Sequence, residues 1–383
     1  MNEKKNILVW SPFTSKVGTT NNIINIVNSF NKYSNFDLNL INVYGEWDNY
    51  IEKFRTDRGN LKTLISLNFL KNFKKEGFLK SRLLSIMIFF FSFRPLLNLI
   101  KIRKPDFFIV HLITSLPLLV FLIFNLKPKL ILHIAGHPKL NFIRKNIWRL
   151  TSKKIFKIIC PSNELKEYLI KQNIFETDKI IVVEDCHLEI KKINIFIKKD
   201  LNENFLDDNK ILISIGRLTK QKNFQFLIKN FADLLRKFKD LKLLIIGEGE
   251  EKQGLENLIK NLGINDKVKL IGFDKNIYNY LGKSNFFIST SKWEGSSLSM
   301  IDAAYMGIPI LCSDCPSGRK EFIGKDQRGF IYKEGDALDF QKKFNLMYNM
   351  NKNEIYKCLV NAKNHSKKFS VFRSYLKLRN ILI

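Results

Sequence analysis

Short apolar runs alternate with longer amphipathic segments along the whole chain. A run that is apolar at every position is typical of a strand buried on both faces, and apolar residues repeating every three or four positions are typical of the helices that cover such a sheet. This order of elements predicts an α/β protein with parallel sheets. The predicted strands are Asn6–Trp10, Leu38–Val43, Asp106–His111, Lys129–His133, Ile155–Cys160, Lys179–Val183, Ile211–Ile215, Lys242–Ile246, Lys267–Ile271, Phe286–Ser289, Ile308–Cys312 and Gly329–Tyr332.

The chain has 383 residues, a length that predicts two domains at about 150 residues each. The segment Glu184–Asn209 is charged and irregular, and a new alternation of strands and helices begins at Ile211. We therefore expect a first domain over 1–185, a linker over 186–209 and a second domain over 210–365. Two doubly wound domains in tandem leave a cleft between the carboxyl ends of their sheets, where ligands of such folds bind.

The composition is that of a globular protein, with 45% hydrophobic and 26% charged residues, and it excludes a disordered chain, a collagen-like fibre and a multi-span membrane protein. The charge is unusual, because 64 Lys and Arg residues against 36 Asp and Glu residues give a net charge of +28. A field of this size attracts anionic partners. Nucleic acid, an anionic membrane surface and phosphorylated small molecules are the candidates.

Two apolar runs, 83–93 and 112–126, are shorter than the roughly 20 residues that a membrane-spanning helix needs. Arg94-Pro95 is expected to end the first run, and neither run is predicted to span. The segment 61–104 nevertheless carries ten Lys or Arg residues and one acidic residue among Phe and Leu. This composition is typical of a segment lying on anionic lipid, and the alternative is a core helix with solvated lysines.

Five cysteines are too few for a disulfide-stapled fold and favour a reducing cytosol. Cys312 and Cys315 form a C-x-x-C pair, but no second pair or histidine lies at the spacing of a zinc site. We interpret the pair as part of a packed loop and expect no metal site.

A first candidate site follows the strand Ile211–Ile215, where Gly216 permits a turn and Arg217 and Lys222 precede a helix. Two cations beside the exposed N–H groups of a helix start are suited to a diphosphate. The alternative is a turn flanked by two surface cations. The later loop Gly247–Gly249 lacks the third glycine of a dinucleotide motif and is followed by acids, so we interpret it as a structural turn.

A second candidate site lies in the loop after the strand Phe286–Ser289. Glu294 is in this loop, and Asp302 follows eight residues later in a helix that Ser296 or Ser297 is expected to cap. Carboxylates accept paired hydrogen bonds from vicinal hydroxyls, as on a ribose or a hexose. Both acids are therefore expected to face one cleft.

In this order and spacing, these stretches resemble the second domain of family 4 retaining glycosyltransferases, which have the GT-B fold of two tandem Rossmann-like, doubly wound domains facing a cleft. The family pattern is G-R-L with a following Lys, then I-G-x-G, then E-G with a second Glu eight residues after the first, then G-x-P. The resemblance covers nearly all of 209–365, and the final segment 366–383 is expected to pack back on the first domain, as the family's last helix does. In this chain the pattern reads Gly216-Arg217-Leu218…Lys222, Gly247…Gly249, Glu294-Gly295…Asp302 and Gly307-Ile308-Pro309.

The resemblance implies a role for each of these positions. Arg217 and Lys222 would hold the diphosphate of a nucleotide sugar and stabilise the departing nucleoside diphosphate. Glu294 would contact hydroxyls of the donor hexose, and Asp302, where the family usually has Glu, would bind the ribose. The other donor-binding positions lie in the glycine turn and at the start of the helix, and they are Gly216, Gly295, Ser296, Ser297 and Leu298.

The first half is more weakly marked. Gly18 precedes a helix where family members often have a Gly-Gly pair, and it would face the donor phosphates or the acceptor. The segment 133–148 resembles sugar transferases of bacterial surface polysaccharides, and family members frequently place a histidine from this region near the reacting sugar. His133 and His137 are the candidates, with His111 as a third, and the alternative for each is a structural histidine.

The sequence therefore predicts a retaining glycosyltransferase that moves a hexose or N-acetylhexosamine from a nucleoside diphosphate sugar, expected to be UDP-linked, to a lipid-linked glycan in bacterial cell-surface polysaccharide synthesis. Positive charge at Arg217 and Lys222 offsets the charge on the departing diphosphate, so no metal is expected to be required. The expected location is cytoplasmic, at the anionic inner face of the membrane through 61–104.

Other classes lack their motifs. No D-x-D triplet, G-x-S-x-G elbow or complete P-loop occurs in the sequence, and no familiar nucleic-acid-binding module is present, so no nucleic-acid partner is expected. Two alternatives stay open, a non-catalytic membrane-associated scaffold of the same fold and a basic nucleic-acid-binding protein.

Overall fold

The computed structural model describes residues 5–13, 19–54, 61–64, 78–138, 140–197, 205, 210–316 and 318–383. The chain divides into two compact units. The first comprises Met1–His187 and Val371–Ile383, and the second comprises Leu188–Ser370.

The first unit is built on a parallel sheet of seven strands. The strands are β1 (Asn6–Trp10), β2 (Asp37–Asn42), β3 (Leu61–Thr63), β4 (Phe107–Val110), β5 (Lys129–His133), β6 (Ile155–Cys160) and β7 (Ile180–Val182). Their order is β3-β2-β1-β4-β5-β6-β7, so the order reverses between β1 and β4. At that place Trp10 lies beside Val110, with Ile41 on its other side.

Both faces of this sheet are apolar. Leu8 and Trp10 of β1 belong to one core cluster, and Ile7 and Val9 belong to another on the opposite face. Because the side chains of Ile7–Trp10 are all buried, this part of the strand is continuously apolar rather than alternating. The helices of the first half that follow are α1 (Thr19–Tyr33), α2 (Phe78–Arg103), α3 (Ser115–Ile123), α4 (Phe142–Thr151) and α5 (Asn163–Lys171).

The second unit repeats this plan with six parallel strands. They are β8 (Lys210–Ile215), β9 (Leu241–Ile246), β10 (Val268–Gly272), β11 (Phe286–Ser289), β12 (Ile310–Ser313) and β13 (Phe330–Tyr332). The order is β10-β9-β8-β11-β12-β13, which reverses between β8 and β11. The helices are α6 (Ile190–Phe196), α7 (Phe224–Lys237), α8 (Lys252–Asn261), α9 (Ile277–Gly282), α10 (Leu298–Met306), α11 (Arg319–Ile323), α12 (Ala337–Tyr348) and α13 (Lys352–Ser366).

The last helix, α14 (Val371–Leu382), lies in the first unit. Its Tyr375 hydroxyl donates to the carbonyl of Tyr33 at 2.7 Å, and the Tyr375 ring meets Phe30 edge-on with centroids 5.1 Å apart. Tyr375, Leu378 and Leu382 are buried beside α1.

Two local expectations were wrong, and one strand was not predicted. The predicted linker contains α6, and its Ile193 is buried with Leu188 in a core of the second unit. The helix was not predicted, because lysines between its apolar residues conceal the helical period. Arg94-Pro95 does not end a helix, because α2 runs through Pro95. The edge strand β3 has only three residues and was too short to predict.

The continuity of α2 has a packing cause. A proline inside a helix removes one hydrogen bond and costs about 3 kcal/mol. Leu84 and Ile88 before Pro95, and Leu96 and Ile100 after it, are all buried in the same core. Burial of both halves offsets the cost of the proline. By length and composition Leu83–Arg103 is also long and apolar enough to cross a membrane, the one such helix among the described residues.

The loop Gly247–Gly249 fits its interpretation as a structural turn. Gly247 has φ +153°, and a Cβ there would overlap the carbonyl oxygen of Gly216. A Cβ at Gly249 would likewise overlap the carbonyl oxygen of Leu218. These glycines are required because the loops after β8 and β9 touch backbone to backbone.

Replacing Gly247 with alanine is expected to lower the free energy of unfolding by about 2 kcal/mol or more, since the new Cβ meets a carbonyl in a strained backbone conformation. Gly254→Ala is the matched control, because Gly254 lies in α8 with nothing near its missing Cβ, and this change should raise stability by about 0.5–1 kcal/mol. Urea unfolding measures both changes. Equal stabilities for the two variants would contradict the assignment.

Candidate functional site

The candidate site lies where the strand order of the second sheet reverses. β8 and β11 are neighbours, and parallel strands bring their carboxyl ends to the same edge. In open α/β sheets this reversal point is where ligands bind. The loops leaving it are 216–223, which follows β8, and 290–297, which follows β11.

Lys222 and Glu294 meet at this edge. The Lys222 Nζ lies 2.5 Å from the Glu294 Oε1, and the two side chains are only 17% and 9% exposed. The Lys222 side chain crosses directly over Gly216, where an added Cβ would lie 2.7 Å from the Lys222 Cε. Gly216 is therefore needed as much to make room for the lysine as to turn the chain.

Hydrogen bonds to backbone carbonyls fix the two loops to each other. The Gln221 side-chain amide donates to the carbonyl of Trp293 at 2.7 Å, and the Lys292 N–H donates to the carbonyl of Gln221 at 2.8 Å. The Thr290 hydroxyl donates to the carbonyl of Lys222 at 3.0 Å. The ion pair therefore sits on a rigid support.

Glu294 is ionised in this setting. Burial alone would raise the pKa of its carboxyl, but the charges of Lys222 and Arg319, with hydrogen bonds from Lys222 and Ser291, bring that pKa below its ordinary value. The Ser291 hydroxyl donates to the Glu294 Oε1 at 2.7 Å, and the Arg319 Nη2 lies 3.5 Å from the same oxygen. The site thus holds two cations around one carboxylate.

Arg319 was missed by the sequence reasoning. Its side chain is 1% exposed, whereas the side chain of the adjacent Lys320 is 62% exposed. Nothing in the letters of the chain distinguishes these two cations at the start of α11. Only the tertiary fold shows which one turns inward.

Arg217 is placed differently from Lys222. Its side chain is exposed, and no hydrogen-bond or ion-pair partner for it occurs among the described residues. The turn that carries it is fixed, because the Leu218 N–H donates to the carbonyl of Glu248 at 2.9 Å. The guanidinium is therefore available to a ligand at the end of β8.

The loop before α10 corrects one expectation. Ser297 does not cap the helix with its side chain and instead has a left-handed backbone with φ +47° and ψ 54°. Its hydroxyl accepts a 2.7 Å hydrogen bond from the Arg319 Nε. The Ser296 hydroxyl is buried without a partner among the described residues. Gly295 and Leu298 flank these serines, so the predicted amide positions form one short loop at the start of α10.

Asp302 lies on α10 and is 2% exposed. The Tyr278 hydroxyl, from α9, donates to the Asp302 Oδ1 at 2.8 Å. Burial and the charge of Asp302 raise the pKa of Tyr278, so its hydroxyl keeps its proton. Tyr278 is a second residue that the sequence reasoning did not identify.

The predicted histidines occupy the equivalent edge of the first sheet. His133 ends β5 and His111 follows β4, with ring centroids 4.6 Å apart and 4% and 3% exposed surface. The Ser11 hydroxyl lies 2.9 Å from the His111 Nδ1. Burial lowers the pKa of His133 to about 4. Burial also lowers the pKa of His111, and repulsion between the two rings, if both were protonated, lowers it further. Both rings are therefore neutral at pH 7.

His137 is apart from this pair. It is partly exposed, with its Nε2 3.7 Å from a Glu164 carboxylate oxygen and its ring 5.0 Å from that of Tyr168. Burial lowers its pKa as well. Gly18 lies outside the described residues.

Two further features bear on where ligands bind. Across the described residues no group of three or more His, Cys, Asp or Glu side chains is arranged to hold a metal ion. A cavity of about 890 Å³ is lined by residues of α12 and α13, among them Asn345 and Glu354, and by none of the predicted site residues. We place the candidate site at the reversal point because the charged groups converge there.

Comparison with known proteins agrees with this architecture. Residues 196–365, which lie within the second unit, match the family model described as Glycosyl transferases group 1. The N-acetylgalactosamine-N,N'-diacetylbacillosaminyl-diphospho-undecaprenol 4-alpha-N-acetylgalactosaminyltransferase of Campylobacter jejuni is 32% identical over 216 residues, covering 54% of this chain and 57% of that protein. The chain spans only 57% to 60% of the length of the first curated relatives that it matches.

Solved structures share the whole fold. A glycosyltransferase from Rickettsia africae superposes with a TM-score of 0.75 at 18% identity, over 100% of this chain and 98% of the other. Anabaena HepE in complex with UDP superposes with a TM-score of 0.73 at 15% identity, over 99% of each chain. The predicted α/β fold with two Rossmann-like units, of the GT-B type, is confirmed.

The buried histidine pair generates a pH-dependent stability. The pKa of His133 is about 4 in the folded protein and about 6.5 when unfolded, so the unfolded chain binds the extra proton as pH falls from 6.5 towards 4. We expect the free energy of unfolding to fall by about 2 kcal/mol from His133 alone between pH 7 and pH 5. Urea unfolding at the two pH values should show a smaller loss for His133→Gln.

His137→Gln is the control, because His137 is 23% exposed and its replacement should leave most of the acid-induced loss in place. An identical loss between pH 7 and pH 5 in wild type and His133→Gln would contradict the neutral, buried state of His133.

Proposed function

We propose that the chain is a retaining glycosyltransferase of family 4. It would transfer a hexose or N-acetylhexosamine from a UDP-linked donor to a lipid-linked glycan in bacterial cell-surface polysaccharide synthesis. The observation that carries this proposal is the buried Lys222–Glu294 pair at the reversal point of the second sheet.

The diphosphate of the donor fits the cations of this edge. Lys222 is held over Gly216 by its surroundings, and Arg217 is exposed beside it. A lysine acts on phosphate as a compact point charge, and an arginine presents a fork of N–H donors. Together they offset the negative charge that develops on the departing nucleoside diphosphate, without a metal ion.

The sugar of the donor fits the carboxylate and the loop after it. Glu294 is ionised and rigidly held, so it can accept hydrogen bonds from hexose hydroxyls. The Ser296 hydroxyl is buried without a protein partner among the described residues, as expected for a group that completes its hydrogen bonding with a ligand. Both groups favour a polar, hydroxyl-bearing ligand.

The ribose of the donor is assigned to Asp302. This side chain is one methylene shorter than the glutamate that the family usually has, and the Tyr278 hydroxyl holds its Oδ1. A carboxylate fixed by one strong donor keeps a single orientation. Asp302 therefore stays in the proposal, with Tyr278 as the residue that orients it.

The donor base and the acceptor are proposed from the compared proteins. The name of the Campylobacter jejuni relative states a diphospho-undecaprenol-linked acceptor, and the Anabaena structure contains UDP. His133 and His137 remain predictions for contact with the reacting sugar. We expect the chain to work in the cytoplasm at the inner membrane face.

Glu294→Gln is expected to lower turnover at least about 100-fold, because the amide keeps the shape of the side chain but loses the charge that fixes the hexose. The affinity for UDP alone should change little. The assay measures UDP released from a panel of UDP-hexoses and UDP-N-acetylhexosamines, with an undecaprenyl-diphosphate-linked oligosaccharide as acceptor and EDTA present.

Glu248→Gln is the control, because Glu248 is an acid of the same unit that is half exposed and pairs with Lys252. It should retain wild-type turnover. Full activity of Glu294→Gln would contradict the role of the carboxylate, and loss of wild-type activity in EDTA would contradict metal independence. A folded wild type that neither releases nor binds UDP would favour the scaffold or the nucleic-acid-binding alternative.

Membrane docking is proposed through α2. Leu84 and Ile88 of this helix are buried in the core, whereas several apolar side chains among them are exposed. The exposed side chains are Leu83, Ile86, Phe90 and Phe91, and Phe90 is 72% exposed. Exposed basic residues, including Arg94, follow on the same helix. An apolar face beside basic side chains is suited to the surface of an anionic bilayer. The lysine-rich stretch 65–77 of the predicted membrane segment lies outside the described residues.

The double change Phe90→Ser and Phe91→Ser is expected to weaken binding to phosphatidylglycerol-containing vesicles about tenfold or more, because two aromatic side chains no longer enter the bilayer. Vesicle sedimentation measures the change. Phe273→Ser is the control, since Phe273 is also 72% exposed but lies in the second unit. Equal binding of the double variant and the control would contradict docking through α2.

A further inference from the structure

The guanidinium of Arg319 is buried beneath the candidate donor site. Arg319 opens the short helix α11, and its side chain is 1% exposed. Arginine is almost never fully buried unless its charge and its N–H groups are paired. The hydrogen-bond and ion-pair partners of the Arg319 side chain therefore indicate its role.

Three serines from three different segments accept hydrogen bonds from Arg319. The Nε donates to the Ser297 hydroxyl, the Nη1 to the Ser313 hydroxyl and the Nη2 to the Ser289 hydroxyl, each at 2.7 Å. Ser289 ends β11, Ser297 precedes α10 and Ser313 ends β12. One planar fork thus fixes the two strand ends and the helix start that surround Glu294.

The contact with Ser297 maintains an unfavourable backbone. A left-handed conformation is unfavourable for a residue other than glycine and persists only where the surroundings enforce it. Ser297 has φ +47°, and its hydroxyl is held by the Arg319 Nε. The direction of the amides at the start of α10 therefore depends on this arginine.

Glu294 faces this guanidinium. The Arg319 Nη2 lies 3.5 Å from the Glu294 Oε1. The other titratable side chains that act on Arg319 are Cys315, Cys312 and Tyr332. Cys312 and Tyr332 are neutral, because burial raises the pKa of Cys312 to about 12 and raises the pKa of Tyr332 well above its ordinary value. Lys222 is the second cation at the same carboxylate.

The proposed donor makes different demands on these two cations. Lys222 pairs with Glu294 in this structure, but its role on the diphosphate requires it to turn to the ligand. Arg319 has no such freedom, because three short hydrogen bonds hold it in the interior. When Lys222 leaves, Arg319 is the cation that stays with Glu294.

We propose that Arg319 is a positioning residue that keeps Glu294 ionised and the Ser297 loop in place while Lys222 exchanges Glu294 for the donor diphosphate. This inference rests on the proposed donor site. It goes beyond that proposal because it assigns a specific task to a residue that does not touch the donor.

Arg319→Met tests the assignment. The affinity for UDP alone should change by less than about threefold, because Lys222 and Arg217 remain, while kcat with a UDP-sugar should fall about 10- to 100-fold. The acid limb of the pH profile of kcat/KM should move to higher pH, because Glu294 loses one of the cations that lower its pKa. A purely structural role for Arg319 would not move this limb.

Arg328→Met is the matched control, because Arg328 is a half-buried arginine of the same unit that donates to the backbone carbonyls of Phe322 and Glu321 rather than to the site. It should leave the acid limb unchanged. If both Arg319→Met and Arg328→Met keep the wild-type kcat and the wild-type acid limb of the kcat/KM profile, the positioning role is wrong. A folded wild type without UDP binding would overturn the donor site itself, which separates the two failures.

Arg319→Lys is the second variant, in case Arg319→Met does not fold. Lysine keeps the charge but lacks the planar fork that joins the three serines. We expect the acid limb to stay in place and kcat to fall about tenfold. Wild-type kcat and KM in Arg319→Lys would contradict the need for the fork.

Discussion

A carboxylate largely withdrawn from water must be surrounded by cations and hydrogen-bond donors, and the loops of the second unit meet this requirement at Glu294. Two cations and a serine hydroxyl converge on one of its oxygens. An ion pair with so little exposure is costly to form, and removing one partner from it is more costly still. The rigidity of the loops after β8 and β11 follows from this constraint, as does the glycine at 216 that admits the lysine.

The same cluster carries an excess of positive charge. Lys222 and Arg319 together exceed the single charge of Glu294, and Arg217 is exposed nearby. A site of this kind is electrostatically incomplete until an anion enters it. In the proposed function, the negative charge of the bound donor diphosphate balances this excess positive charge.

Much of the fold was visible in the sequence, because doubly wound sheets produce continuous apolar runs at strands and a helical period between them. Lys222 and Glu294 were found because their motifs are local. Arg319 and Tyr278 were not, since their importance depends on burial and on partners distant in the chain, Glu294 and Asp302. The left-handed backbone of Ser297 was missed for the same reason, because serine before a helix ordinarily caps it.

The most direct test of the central claim is a crystal structure of the protein with UDP. The account predicts that the Lys222 Nζ lies within hydrogen-bond distance of a diphosphate oxygen and no longer 2.5 Å from the Glu294 Oε1, with Arg319 still bound to its three serines. UDP bound elsewhere, or bound with the Lys222–Glu294 pair unchanged, would contradict it.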